Sequence, residues 1–362
     1  MQAWALQQVL KRMGHEPVTI DRQPALPSAS YKATRLAYRA AMKFMGKRKA
    51  PVNFERYLPT LLQHTKRFID QHLTMSGPLY STEQLTSHFE RNNYDAVIVG
   101  SDQTWRPSYS PNIYNYFLDF LAEKNIRRIA YATSFGIDHW EFNEKQTEKC
   151  ATLAQKFDAI SVRETAGIDL CRHYLNVDAG LALDPTLLLD RSDYEELLGA
   201  SRMNAKPAGI YTYFLDQTPE KAQLAQRVAA TLNEKIFACQ AKYSINDYTS
   251  NNIETYIIPD VNDWLAGFSN ANYVVTDSFH GVVLSIIFNK HFLVINNNQR
   301  GGSRFTSLLE KVDLMDRLID PKSINLFDLT SIKKDLEISA EKLYGYKKES
   351  ISKIKISLNL GV

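Results

Sequence analysis

The sequence predicts an α/β protein of two Rossmann-like domains facing each other across a cleft. Short apolar runs of strand length alternate with helix-period segments in both halves of the chain, the pattern of parallel sheets carrying helices on their faces. Several of these runs empty into short polar loops, as expected at the carboxyl edge of an open sheet, where ligands bind. At 362 residues, the chain is long enough to bury a core in each half.

The elements follow in order. Residues 2–13 place Leu6, Val9, Leu10 and Met13 at helical spacing, and Gly14 closes the helix. Residues 17–21 read as a strand, 83–89 as a helix, and 94–99 as a buried strand that empties into Gly100-Ser101-Asp102-Gln103-Thr104-Trp105. A strand at 128–133 ends in Ser134-Phe135-Gly136, and 142–156 is helical. Residues 158–164 form a strand that leads into a helix through about Tyr174, and 181–187 is a strand end held extended by Pro185. Residues 191–207 read as the passage between halves. Beyond it, strands at 209–215 and 235–238 alternate with helices at 219–232 and 261–268. The expected domains are therefore 1–190 and 191–330, followed by a Lys-rich helical tail, 331–362, that packs back on one of them.

The most informative stretch is 272–295. A strand at 273–276 runs into Asp277-Ser278-Phe279-His280-Gly281, then an apolar helix, then a second apolar strand at 292–295. The free N–H groups at such a helix start point to the sheet edge and suit an anion. Locally, the alternative is that hydroxyls cap the helix and His280 is a bystander.

Composition narrows the classes. Hydrophobic content of 44% and charged content of 23% are those of a soluble globular chain. No run of about 18 apolar residues spans a membrane, and no signal-peptide core opens the chain. Cys150, Cys171 and Cys239 are widely spaced, which fits a reducing cytoplasm and neither a zinc site nor a disulfide framework. No His/Asp/Glu cluster has metal-ligand spacing, so no metal is expected. Neither GxGxxG nor GxxxxGK[ST] occurs. Residues 31–75 carry a charge of +8 and the remainder −5, with apolar residues interleaved among the cations and Arg35, Arg39 and Lys43 at i,i+4 spacing. Such a helix suits the surface of an anionic bilayer or an anionic glycan–lipid, giving peripheral contact at the inner face of the membrane. The reading preferred from sequence is a solvated face whose apolar side packs on the domain. No nucleic-acid partner is expected.

GSDQTW (100–105), YATSFG (131–136), SVRE (161–164), LDPTLLL (183–189) and TDSFHG (276–281) occur in that order, with QAWALQ near the start and SRF at 303–305. Together they resemble the polysaccharide pyruvyl transferase family over residues 2–320. The resemblance implies a GT-B-like fold. It also implies transfer of pyruvate from phosphoenolpyruvate onto two hydroxyls of a sugar, in a surface or capsular polysaccharide or its lipid-linked precursor, giving a cyclic ketal without a further cofactor. The family usually opens with a strand and a loop of the form NYG-x-x-LQAYAL, so a strand and loop are expected ahead of Gln2. A nucleotide-sugar glycosyltransferase and a non-catalytic glycan-binding relative are the alternatives on this architecture.

This chemistry needs cations or N–H groups for a carboxylate and a phosphate, a proton donor near the methylene carbon, and a base near the acceptor hydroxyl. Arg163, at the end of a buried strand, has a planar fork suited to either anion and matches the family's SVRE arginine, with a salt bridge to Glu164 or Asp184 as the alternative. Arg304 stands beside a glycine pair, with Arg300 a weaker competitor. His280 is expected to bind the anion and donate the proton, and Ser278 to offer a hydroxyl and N–H groups. Relatives often carry Arg-Leu at the positions of Ser278-Phe279, which places more weight on Arg163 and Arg304. Asp102 is expected to activate the hydroxyl, Gln103 to bond sugar hydroxyls, Trp105 to stack on the sugar, and Ser134 to line the cleft floor. An Asx turn at Asp102 and a core role for Trp105 are the local alternatives. Asp277 and Asp184-Pro185-Thr186 read as chiefly structural.

Overall fold

A computed structural model describes residues 1–203, 209–242, 252–297, 301–333 and 340–358. Arg300 and residues 204–207 lie outside them. The fold is mixed α/β with two parallel sheets. The first has the order β1-β2-β3-β4, formed by Ala96–Val99, Arg127–Thr133, Ala159–Val162 and Gly180–Leu181. The second has the order β6-β5-β7-β8-β9, with β5 Ile210–Tyr213, β6 Ile236–Phe237, β7 Tyr273–Thr276, β8 His291–Ile295 and β9 Leu318–Ile319. Every paired neighbour in both sheets runs parallel.

The strongest apolar pattern gives the best-buried elements. All four residues of β7 are buried, and the following helix, Phe279–Ile287, buries Phe279 and every residue from Gly281 to Ile286. The helix can sit this close to β7 because residue 281 is glycine. A Cβ there would lie 2.3 Å from Thr276 Oγ1.

One apolar cluster runs through both halves. Trp4 of the helix Gln2–Arg12 meets Tyr194 edge-on at 5.4 Å, and Tyr194 meets Phe288 at 6.1 Å. The helix Ala340–Ser357 returns to the first half, where Lys353 Nζ donates to the Leu181 carbonyl at 2.7 Å and Ser350 Oγ accepts from Leu183 N at 3.0 Å.

Three sequence expectations are corrected. Residues 17–21 do not form a strand: Thr19 makes an isolated bridge with Met75, and Arg22, just beyond, another with Leu79, because no neighbouring strand extends the pairing. The two-residue β9 was not anticipated, being too short for a periodic signal. The helix Ala29–Phe44 reverses the expected orientation. Its partly covered stripe is Arg35, Arg39 and Met42, held by Glu55, whereas Ala29, Ala33, Ala37, Ala40, Ala41 and Phe44 face solvent.

Replacing Gly281 by alanine is expected to overpack the β7–helix junction and lower unfolding free energy by about 1–3 kcal/mol. Urea denaturation measures this, and an unchanged midpoint would show that Thr276 yields freely.

Candidate active site

The carboxyl edges of both sheets meet at one group of charged side chains. Arg163 leaves the end of β3 and is buried, and its backbone N–H donates to the Thr133 carbonyl at 3.0 Å. Its Nη1 donates to Asp184 Oδ2 at 2.6 Å and its Nη2 reaches Asp102 Oδ1 at 3.4 Å. Asp184, beyond β4, is also buried and accepts from Ser101 Oγ at 3.1 Å, Gln2 Nε2 at 2.8 Å and both Thr186 N and Thr186 Oγ1. Burial alone would neutralise this carboxyl. The charges of Arg163 and His280 and the hydrogen bonds of Thr186 and Gln2 outweigh it, and its pKa falls well below the carboxylate range.

Arg304 comes from the helix Gly302–Lys311, which is tied to the first half where Thr165 N donates to Ser307 Oγ at 3.1 Å. Its approach depends on Gly301, held at φ +96°, where a Cβ would lie 2.3 Å from the Gly136 carbonyl. The Arg163 and Arg304 guanidinium carbons lie 4.6 Å and 5.5 Å from the centroid of one ring, that of Phe279. The two arginines differ electrically. Burial opposes the charge of Arg163, but Asp184, Asp102 and Glu164 overcome it and its pKa is raised. Burial and repulsion by Arg163 pull the Arg304 pKa down to about 10, only partly offset by Glu164, Asp102 and Asp184.

His280 lies in the first turn of its helix with Nε2 3.8 Å from Asp184 Oδ2, too long for a hydrogen bond. Burial lowers its pKa, against the pull of Asp184 and Asp102, so the imidazole is neutral at pH 7. Asp102 is the outermost member, with its side chain 53% exposed, and lies 3.9 Å from Arg304 Nη1. Burial favours its acid form, but Arg163, His280 and Arg304 prevail and its pKa is lowered. Its backbone takes φ +81°, a region non-glycine residues hold only when their surroundings enforce it. Here its carbonyl accepts from Thr104 N and Ser134 N at 2.8 and 3.0 Å.

A cavity of about 480 Å³ opens over this group. Asp102, His280, Gln2, Tyr213, Cys239 and Trp264 are among its lining residues.

A sequence model of the polysaccharide pyruvyl transferase family matches residues 1–299. The chain belongs to the polysaccharide pyruvyl transferase family. It is thereby a transferase, with polysaccharide pyruvylation as the general activity. A solved structure of the glycotransferase of kitacinnamycin is similar at 12% identity and a TM-score of 0.44, over 99% of this chain and 95% of that one. No curated protein matches the chain. Among the described residues, no cluster of His, Cys, Asp or Glu is arranged to hold a metal ion, and no helix is long and apolar enough to cross a membrane.

Arg163, Arg304, His280 and Asp102 thus converge, with Ser278 buried beside them at the helix start. Ser278 forms no side-chain cap, and its N–H donates to Thr276 Oγ1 at 3.0 Å. Of these, Asp102 and His280 line the cavity, whereas the buried Arg163, Arg304 and Ser278 do not; the other three expected residues are held by other partners. Trp105 is fully buried, stacked on Phe117 at 4.7 Å with Nε1 donating to the Tyr116 carbonyl at 2.9 Å, so it offers no face to a sugar. Gln103 turns its carbonyl to Arg106 Nη1 at 3.1 Å and packs against Gly136. Ser134 is fully buried and donates to Glu164 Oε1 at 2.9 Å, which also accepts from Phe135 N at 2.9 Å. In each case a short-range partner holds the polar group away from the cavity.

Asp184 is the residue whose role the sequence reading understated. It both shapes its turn, as expected, and pairs with Arg163. The available signal was a carboxylate directly after an apolar strand and before proline. Glu164, buried and holding the Ser134–Gly136 loop, was legible only as a neighbour of Arg163.

Asp184→Asn leaves Arg163 charged and buried without its partner, and is expected to destabilise the fold by about 3–5 kcal/mol at pH 7. Because the folded pKa of Asp184 is depressed, its contribution is present in full above the unfolded value of about 3.9, declines below it, and is gone only when pH has fallen through the folded value. Denaturation from pH 7 to pH 3 should therefore show the gap between wild type and variant narrowing in acid without closing. A constant gap would overturn this assignment.

Proposed function

We propose that the chain transfers pyruvate from phosphoenolpyruvate to two hydroxyls of a sugar in a polysaccharide or its lipid-linked precursor, on the cytoplasmic side. The observation that supports this reading most is the convergence of Arg163, Arg304, His280 and Asp102 from segments that follow strands of both sheets, with Asp102 and His280 lining one cavity and the two buried arginines beside Asp102. We also read the two parallel sheets, whose carboxyl edges border that cavity, as a GT-B-like pair of domains.

In this reading, the anion sits by Arg304 and the first turn of the Phe279–Ile287 helix. Arg304 is the cation whose charge burial and Arg163 disfavour, so a bound phosphate or carboxylate relieves that strain. Arg163, already paired with Asp184, acts as a fixed positive background. Asp102, ionised and exposed, accepts the proton of the first acceptor hydroxyl as its oxygen bonds to C2 of the donor.

A proton delivered through His280 converts the methylene to methyl. The C2–O bond to phosphate then breaks, and the second hydroxyl closes the ketal and loses its proton. Of the two hydroxyl protons, one ends on the methyl carbon and one on the departing phosphate. His280 is neutral in the free protein and is charged when the donor's negative charge arrives.

Millimolar phosphoenolpyruvate should raise the melting temperature, by an amount corresponding to about 2.7 kcal/mol at a hundred-fold excess over Kd. Arg304→Gln and His280→Asn, each compared with its own unliganded baseline, should lose most of the rise. Asp102→Asn should keep it while kcat for ketal formation falls about 10²–10⁴-fold. No rise in a folded wild type would reject the donor assignment.

Binding should also take up protons near neutral pH, because the donor raises the lowered His280 pKa. Calorimetry in buffers of different ionisation enthalpy measures the uptake. Uptake equal in wild type and His280→Asn would remove His280 from the proton path.

A further inference from the structure

The helix Ala29–Phe44 buries none of its residues. Its inward arginines are answered by Glu55, which Arg39 meets at 2.8 Å and Arg35 at 3.0 Å. Its outward face is an apolar stripe of alanines ending at Phe44, which is 94% exposed, with Met45 54% exposed just beyond. Lys32 and Lys43 on the helix, and Lys47 and Lys49 in the loop after it, are all exposed. Between helix and loop is a cavity of about 460 Å³, lined by Tyr38, Arg39, Lys47, Arg48 and Lys49 among others. One wall carries Arg48 Nε, a buried donor with no hydrogen-bond partner among the described residues.

We propose that this face docks on an anionic lipid bilayer, with Phe44 and Met45 entering the interface, the lysines lying among the headgroups and the cationic cavity receiving a headgroup phosphate. Exposed aromatic and aliphatic side chains beside unneutralised lysines are the combination that holds a helix in the plane of a negatively charged interface. Charge argues for this occupant over a second copy of the chain. A two-fold dimer through this face would set its cations against an identical set.

The position suits a membrane-bound acceptor. The segment that follows packs on the second half, where Ile258 N donates to the Leu61 carbonyl at 3.0 Å and Arg67 pairs with Asp260 at 2.8 Å. Ile258, Pro259, Val261 and Trp264 of that region line the active-site cavity.

The test is sedimentation of the full chain with vesicles of phosphatidylcholine, with and without a third phosphatidylglycerol. Wild type should pellet with the anionic vesicles only, and less so as salt rises. Lys43→Gln/Lys47→Gln should lower partitioning roughly thirtyfold, and Phe44→Ser about tenfold. These side chains are exposed, so melting temperature and any response to phosphoenolpyruvate should match wild type, and vesicle binding is read independently of catalysis. Absence of sedimentation, or sedimentation unaffected by both variants, overturns the proposal. So does a wild-type dimer in light scattering that Phe44→Ser dissolves, which would assign the face to a second copy.

Discussion

The arrangement at the centre of this protein depends on one buried ion pair, Arg163 with Asp184. Both side chains are almost without solvent contact, and a charge in that position persists only when paired and hydrogen-bonded. Asp184 meets this requirement by drawing in Thr186 of its own turn and Ser101 and Gln2 from two other parts of the chain. The pair thus ties the ends of β3 and β4 to the loop after β1 and to the first helix. Through the same carboxylate it also faces His280, which belongs to the second sheet.

That pairing divides the work of the two arginines. With Asp184 beside it, Arg163 is a settled charge that orders its surroundings. Arg304 shares the face of Phe279 with it and is pushed toward neutrality by burial and by Arg163 itself. Asp102 stands between them and solvent, with a backbone conformation held by the end of β2. The site combines a buried, hydrogen-bonded ion pair with an exposed carboxylate at its rim.

The basic segment follows a different physical logic. Glu55 attracts Arg35 and Arg39 inward, and that rotation presents the alanine stripe and Phe44 to the outside.

The sequence by itself determined the parallel α/β layering, because apolar strands and helices are specified by local periodicity. It also determined the unit from β7 through its helix to β8, where nearly every side chain is buried. The ordered motifs identified the family and most of the charged residues that gather around the Arg163–Asp184 pair. Only the tertiary structure decided which polar residues face that cavity. Trp105, Gln103 and Ser134 share loops with Asp102 and with the end of β2, yet Phe117, Arg106 and Glu164 hold them elsewhere. The choice between Asp184 as a turn residue and as the partner of Arg163 was likewise beyond local pattern. It depends on two side chains 21 residues apart meeting in a space that excludes water, and periodicity carries no information about which distant charge will be there.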